Sequence, residues 1–283
     1  MGVLGLPKNS VRKPVADNGK ALLLENAVLA LLSESELAAV YADGELAHFD
    51  LRQTVYQPGA RIEAAYFPID CVLSVVARME DGSLIEVGTI GREGTTAVPL
   101  IMGAGTTPNE SFCQVEGRAW KMPAESFDAL LETSSRFHWA MNRYLQAYVN
   151  MLGQMAGCNG MHSVLERCAR WLLMTQDRVA RPGFSMTHEF LAAMLGSRRS
   201  GVTVAASTLQ GAGYIRYSHG QMIIVNRAGL ESTACECYRV AREQFDVLST
   251  VPEEDSLPPL SRPNAGGRKP TTTRSAKKTS DDS

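Results

Sequence analysis

Arg198, Arg199, Ser200, Thr203 and Ser207 bring two guanidinium groups and three hydroxyls together near the start of one amphipathic stretch, roughly Arg198 to Gln210. These are the side chains that donate to phosphate oxygens and base edges. An arginine here could pair bidentately with guanine O6 and N7, which is worth about 1–3 kcal/mol of discrimination against other bases. That chemistry needs a helix held away from the body of the protein with its N-terminal end presented outward.

The flanking sequence supplies such a support. Thr187 is placed to cap a first helix, with Phe190, Leu191 and Met194 on its buried side. Ala192 is small where two helices would cross closely. Gly196, four residues later, can take the left-handed conformation of a tight turn. Val202, six residues further, would fill the angle between the helices. Ala192, Gly196 and Val202 at these offsets are the scaffold of a helix-turn-helix between roughly Thr187 and Gly213. Gly213–Tyr217 and Met222–Val225 then alternate like two strands around Ser218–Gln221, the pattern of a wing.

The remaining 283-residue chain must position this unit. Residues 1–20 are polar with Pro7, Pro14 and Gly19, and are expected to form a disordered arm. Residues 21–132 begin with short helices, one opened by a Ser33/Glu36 capping box. From about Glu45 to Met122 short β-branched runs alternate with turns, Asp81-Gly82 being the clearest hairpin signal. Residues 133–160 read as one long helix. On it Met141, Leu145, Tyr148, Leu152 and Met155 are spaced 4, 3, 4 and 3 apart, an a/d seam suited to a second copy of the chain. Residues 161–248 hold a further amphipathic helix and the helix-turn-helix. Residues 249–283, rich in Pro, Gly, Ser, Thr, Lys and Arg, are expected to be a disordered basic tail. The charge is uneven along the chain. Residues 1–160 carry 12 Lys and Arg against 18 Asp and Glu, and residues 161–250 carry 10 against 7. The more basic half therefore coincides with the donor-rich helix.

The order of parts, with GREG at 91–94 and LGSRRSGVTVAASTLQGAGYI at 195–215, resembles the Crp/Fnr family of bacterial regulators over roughly Asn26 to Val247. The resemblance implies an α+β fold: an N-terminal cyclic-nucleotide-binding-like β-roll, a long dimerisation helix and a C-terminal winged helix-turn-helix. It implies a cytoplasmic homodimer that regulates transcription, binds a two-fold symmetric operator in double-stranded DNA and meets RNA polymerase. Arg199 matches the position of a base-contacting arginine in the family. The alternative is a β-roll signalling or interaction protein that lacks specific DNA recognition.

The effector side departs from the cyclic-nucleotide binders of that family. Gly91, Glu93 and Gly94 match the segment whose glutamate accepts from the ribose. The arginine that pairs with the cyclic phosphate is missing, because TTAVPLIMGAGTTPNESFCQVEG contains no Arg or Lys and Arg118 comes only after the last hairpin turn. An effector other than cAMP is therefore expected. The iron–sulfur mechanism of oxygen-sensing relatives uses an N-terminal cysteine cluster, and residues 1–70 contain no Cys.

Six cysteines are scattered without a repeated spacing. Cys158 and His162 could share one helix face, with Cys168 nearby, but Gly157 and Gly160 are expected to break that helix and no fourth ligand is evident. Cys235-x-Cys237 is equally isolated in the sequence, so no metal and no cofactor is expected. Cys113, on a β-roll strand, is the cysteine best placed for effector-linked oxidation. No GxSxG, HExxH or Walker motif is present, so the sequence offers no enzymatic reading. No run is long and apolar enough to span a membrane.

Overall fold

The computed structural model describes residues 17–246 except 180, together with 248, 252–253, 256–258 and 260. Residues 1–16 of the expected arm and most of the expected tail lie outside the described residues. The last residues of that arm, 17–20, belong instead to helix α1 (Asp17–Leu23). A single 3-10 turn at Leu29–Leu31 leads to α2 (Glu34–Asp43). The capping box that opens α2 is formed: Ser33 Oγ accepts from the Glu36 N–H, and the Glu36 carboxylate accepts from the Ser33 N–H at 2.8 Å.

The β-rich segment folds as two antiparallel sheets. Its strands are β1 (Glu45–Phe49), β2 (Thr54–Tyr56), β3 (Ala64–Pro68), β4 (Val72–Arg78) and β5 (Leu84–Ile90). A short helix α3 (Val98–Ile101) precedes β6 (Glu110–Val115) and β7 (Gly117–Pro123). The sheets are ordered β1-β7-β3 and β2-β6-β4-β5. The β4–β5 hairpin closes at Asp81-Gly82, where Gly82 has φ +82° and Asp81 Oδ1 accepts from the Ser83 N–H at 2.9 Å. Phe67 on β3 packs on Phe127 of α4 (Ala124–Thr133), which meets Phe137 of α5 (Ser135–Met161) edge to face at 5.2 Å. These rings join the roll to the long helix.

Helix α5 lies close against β5 because glycine leaves room for its tyrosines. A Cβ on Gly94 would come 2.1 Å from the Tyr144 ring, and one on Gly88 would come 2.2 Å from Tyr148 Oη. Tyr144 Oη donates to the Thr95 carbonyl at 2.9 Å. The helix runs unbroken to Met161, so Gly157 and Gly160 do not end it. A glycine inside a helix costs only about 1 kcal/mol, which the packing along α5 outweighs.

After His162 and Ser163 comes α6 (Val164–Val179), opened by a second capping box, Ser163 with Glu166. The C-terminal unit adds β8 (Gly183–Ser185), α7 (His188–Met194), α8 (Arg199–Gly211), β9 (Ile215–Ser218), β10 (Gln221–Ile224), α9 (Arg227–Thr233) and α10 (Cys237–Asp246). Helix α10 turns back along α5. Phe245 sits 6.4 Å from Tyr144, and Asn150 Nδ2 donates to Gln244 Oε1 at 2.9 Å. The C-terminal unit also rests on the roll, where Phe190 meets Phe112 edge to face at 5.9 Å. No described helix is long and apolar enough to cross a membrane.

Candidate nucleic-acid interface and effector region

Thr187 caps α7, its Oγ1 accepting from the Phe190 N–H at 3.1 Å. Leu191, Ala192 and Met194 are buried, whereas Phe190 is half-buried against the roll. The turn passes through Gly196 at φ +54°, and the Ser197 N–H reaches the Ala192 carbonyl at 2.9 Å. Val202 on α8 is fully buried in the crossing, beside Ala205, Ala206 and Leu209. The three expected scaffold residues therefore occupy one tight crossing.

The opposite face of α8 is open. Arg198, Arg199, Ser200, Thr203 and Ser207 are all exposed, and so is Thr208. Val204, 66% exposed, lies among them and offers an apolar contact of the kind a thymine methyl accepts. Val204 has no side-chain donor, so only its place on the exposed face of α8 marks it. No side chain caps the start of α8 at Arg198, so its first N–H groups remain available to an anion. The wing forms as β9 and β10 around His219 (φ +50°) and Gly220 (φ +77°). β8 pairs with β10 as a third strand, which its three residues carry too little periodicity to signal in the sequence. His188 stacks on Tyr217 at 4.3 Å and lies 3.3 Å from Thr203 Oγ1, which links α7, α8 and the wing. Burial and then the Arg199 charge lower the His188 pKa, so its ring stays neutral at physiological pH.

On the effector side Gly91, Glu93 and Gly94 form a tight turn, and Glu93 is ion-paired within the chain. Arg178 of α6 donates from Nε to Glu93 Oε1 at 2.8 Å, and the Gly91 N–H donates to the same oxygen at 3.1 Å. Glu93 and Arg178 both line a cavity of about 240 Å³, together with Arg92, Asp177 and Tyr238. Arg178 sits on the buried stripe of α6 with Arg167 and Arg170, and arginines at core positions of an amphipathic helix were the available signal. Arg118 is engaged elsewhere, donating to Asp70 at 2.8 Å.

A separate cavity of about 150 Å³ lies between the roll and α5. Tyr56, Val75, Thr96, Ser111, Tyr148 and Leu152 are among its lining residues, none of which is charged. Ser111 Oγ is buried without a hydrogen-bond partner.

The expected seam residues divide between two faces. Met141 and Tyr148 are buried in the chain's own core, and Met155 packs against that core. Leu145 and Leu152 lie at the edge of the open face, where Val149 is 51% exposed and Ala156 is exposed. Met141 and Tyr148 are thus taken up by the chain's own core, and the apolar side chains at or beside the open face are Leu145, Val149, Leu152 and Ala156. The apolar periodicity alone did not reveal that α5 spends one apolar stripe on its own roll.

The cysteines behave in two ways. Cys113 is buried and its thiol is pushed up to about 12 by desolvation, which makes it a poor candidate for oxidation. Cys158 and His162, in contrast, are joined by Cys235 from the α9–α10 connection and Cys237 at the start of α10, and the four ligand atoms lie within 4.8 Å of one another. This corrects the expectation that no further ligand was at hand. Cys168 stands apart, buried in α6.

A buried polar chain connects roll and C-terminal unit. Trp171 Nε1 of α6 donates to Glu86 Oε1 of β5 at 2.8 Å, and Ser74 Oγ lies 2.8 Å from the other Glu86 oxygen. Ser74 also lies 2.5 Å from Gln114 Oε1, and Gln114 Nε2 donates to Thr175 at 3.3 Å. Burial raises the Glu86 carboxyl above its ordinary value, against the pull of the Ser74 and Trp171 hydrogen bonds.

The model of the Crp-like helix-turn-helix domain matches residues 166–233. Similar solved structures include FixK2 from Bradyrhizobium japonicum, 13% identical, with 68% of this chain and 98% of that one covered and a TM-score of 0.59. A CRP-family transcriptional regulator from Thermus thermophilus is 18% identical, with 66% and 96% covered and a TM-score of 0.56. The c-di-GMP-responsive regulator CLP of Xanthomonas campestris is 17% identical, with 68% and 99% covered and a TM-score of 0.55. No curated protein matches the sequence significantly. Residues 166–233 thus form a Crp-like helix-turn-helix domain, carried on the fold that these structures share.

Proposed function

We propose that the chain acts as a homodimer on a two-fold symmetric operator, with one α8 in the major groove of each half-site. The observation that carries this reading is the exposed run Arg198, Arg199, Ser200, Thr203 and Ser207 at the uncapped start of α8. In this arrangement Arg199 pairs with a guanine, while Arg198 and the first N–H groups of α8 hold phosphates. The Leu145, Val149, Leu152 and Ala156 row of α5 packs against its copy in the partner. RNA polymerase is the further partner expected of such a dimer, and the cytoplasm its compartment.

The effector we propose is a small uncharged molecule in the cavity between roll and α5, with a polar group for Ser111 Oγ. A cyclic nucleotide would bury its phosphate there without a cation, which is costly. Leu152 both lines that cavity and belongs to the row that packs against the partner. A ligand touching it would shift the population of α5 pairings and so the spacing of the two α8 helices.

Genome-wide mapping of the DNA bound by the protein tests the reading. The expected motif is an inverted repeat whose half-sites are about 10 base pairs apart centre to centre, the spacing of two recognition helices on one face of the duplex. Binding without any enriched motif, at every salt concentration tried, would overturn it.

A further inference from the structure

Four ligand atoms converge where the end of α5 meets the start of α10. Cys158 and His162 lie one helical turn apart at the end of α5. Cys235 lies in the connection that follows α9, and Cys237 is the first residue of α10. Cys158 Sγ and Cys235 Sγ are 3.5 Å apart, and Cys237 Sγ lies 3.6 Å from His162 Nδ1. We propose that Cys158, His162, Cys235 and Cys237 bind one Zn²⁺ ion as a closed, structural Cys3His site.

The donor set and its dimensions favour this ion. Zinc takes four thiolate and imidazole ligands tetrahedrally, with Zn–S near 2.3 Å, which sets ligand atoms about 3.8 Å apart. All four atoms here lie within 4.8 Å of one another, so small side-chain adjustments complete the tetrahedron. An iron–sulfur cluster spreads its ligands over several irons and needs a wider cage. The three cysteines are 1%, 5% and 1% exposed, so the site is shielded, and four protein ligands leave no open position for catalysis.

The surroundings are those of a metal-binding histidine and of thiolates. His162 Nε2 lies 3.2 Å from the Glu236 carboxylate, while Nδ1 faces the sulfurs. A proton held on Nε2 by Glu236 leaves the Nδ1 lone pair for the metal, the arrangement that orients histidine ligands generally. Gln154 Nε2 donates to Cys237 Sγ at 3.0 Å. Cys237 begins α10, so its sulfur lies at the positive end of that helix. Arg170 is 5% exposed, its Nε has no hydrogen-bond partner, and its charge reaches both Cys158 and Cys235. Three thiolates and one Zn²⁺ leave a net charge of about −1, which that guanidinium offsets. The thiol protons are released to solvent as the metal enters.

The ion would fasten two connections at once. His162 caps α5 at its two-residue joint with α6, and Cys235 and Cys237 hold α10 back along α5. The orientation of the helix-turn-helix relative to α5 would then depend on the metal.

Full-length protein purified without chelator and assayed by elemental mass spectrometry is expected to hold one zinc per chain. Reduced apo-protein titrated with Co²⁺ is expected to develop thiolate-to-cobalt charge-transfer absorption and the d–d bands of a tetrahedral site. Cys237→Ser should bring bound zinc below a tenth of an equivalent, and Cys168→Ser should leave it unchanged. Glu236→Gln should weaken zinc affinity about 10- to 100-fold, as loss of an outer partner does elsewhere. If Cys237→Ser does not fold, the cobalt spectrum of the unaltered chain decides. The proposal is overturned if reduced protein binds neither Zn²⁺ nor Co²⁺, if it carries an iron–sulfur cluster instead, or if Cys158 and Cys235 prove to be disulfide-bonded in freshly lysed cells.

Discussion

Arg178 and Glu93 form an ion pair at 2.8 Å with only 6% and 15% of their side chains exposed. The Glu93 carboxylate is thus held by a cation of the chain itself. Removing one partner leaves the other charged and buried, so Arg178→Ala is expected to cost about 3–5 kcal/mol in urea unfolding. The double variant Arg178→Met/Glu93→Gln should recover most of that loss. Calorimetric titration of the unaltered protein should detect no submicromolar binding of cAMP or cyclic GMP.

Arg199 is exposed at the start of α8. Arg199→Ala is expected to lose about 1–3 kcal/mol of preference for operator over a guanine-substituted site in competitive gel shifts. Arg198→Ala should weaken binding to all sequences alike and flatten the salt dependence by about one counterion. An unchanged operator preference in Arg199→Ala would mean that α8 does not read bases through this residue.

Val149 tests the register of the dimer row. An arginine there adds a charge to a residue that is already 51% exposed in the single chain, so Val149→Arg should leave the fold intact. Light scattering should show a monomer, with operator affinity lowered at least tenfold because the second half-site no longer contributes cooperatively. Met141→Ala, by contrast, should destabilise the chain by about 2–5 kcal/mol, as truncation of a core methionine does.

Glu86 should give stability a pH dependence. Its carboxyl is raised by burial, so the ionised form is penalised in the folded chain. Its contribution is fully present below the ordinary carboxylate value and is lost as pH rises through the raised one. Glu86→Gln can keep the Trp171 hydrogen bond without the charge. The variant should melt a few degrees above the unaltered protein at pH 8, and the gap should close as pH approaches 4.5. An equal gap at both ends would remove ionisation as the cause.

The helix-turn-helix was legible because each of its signals is local. Thr187 caps three residues ahead, Gly196 takes the left-handed turn, Val202 completes an angle set by a fixed number of residues, and the wing strands alternate around His219-Gly220. The roll was legible in the same way, from short β-branched runs and the Asp81-Gly82 hairpin. β8 escaped because three residues carry too little periodicity to register.

The sequence by itself determined which residues are apolar, where helices start and where turns fall, since these depend on neighbours within a few positions. Only the tertiary structure decided what each stripe meets. It buried Met141 and Tyr148 against the chain's own roll, closed Glu93 with an arginine 85 positions away, and brought Cys235 beside a cysteine 77 positions earlier. Periodicity gives the direction in which a side chain points, but not the element that arrives there. That partner is set by how the connections let α6 and α10 fold back onto β5 and α5.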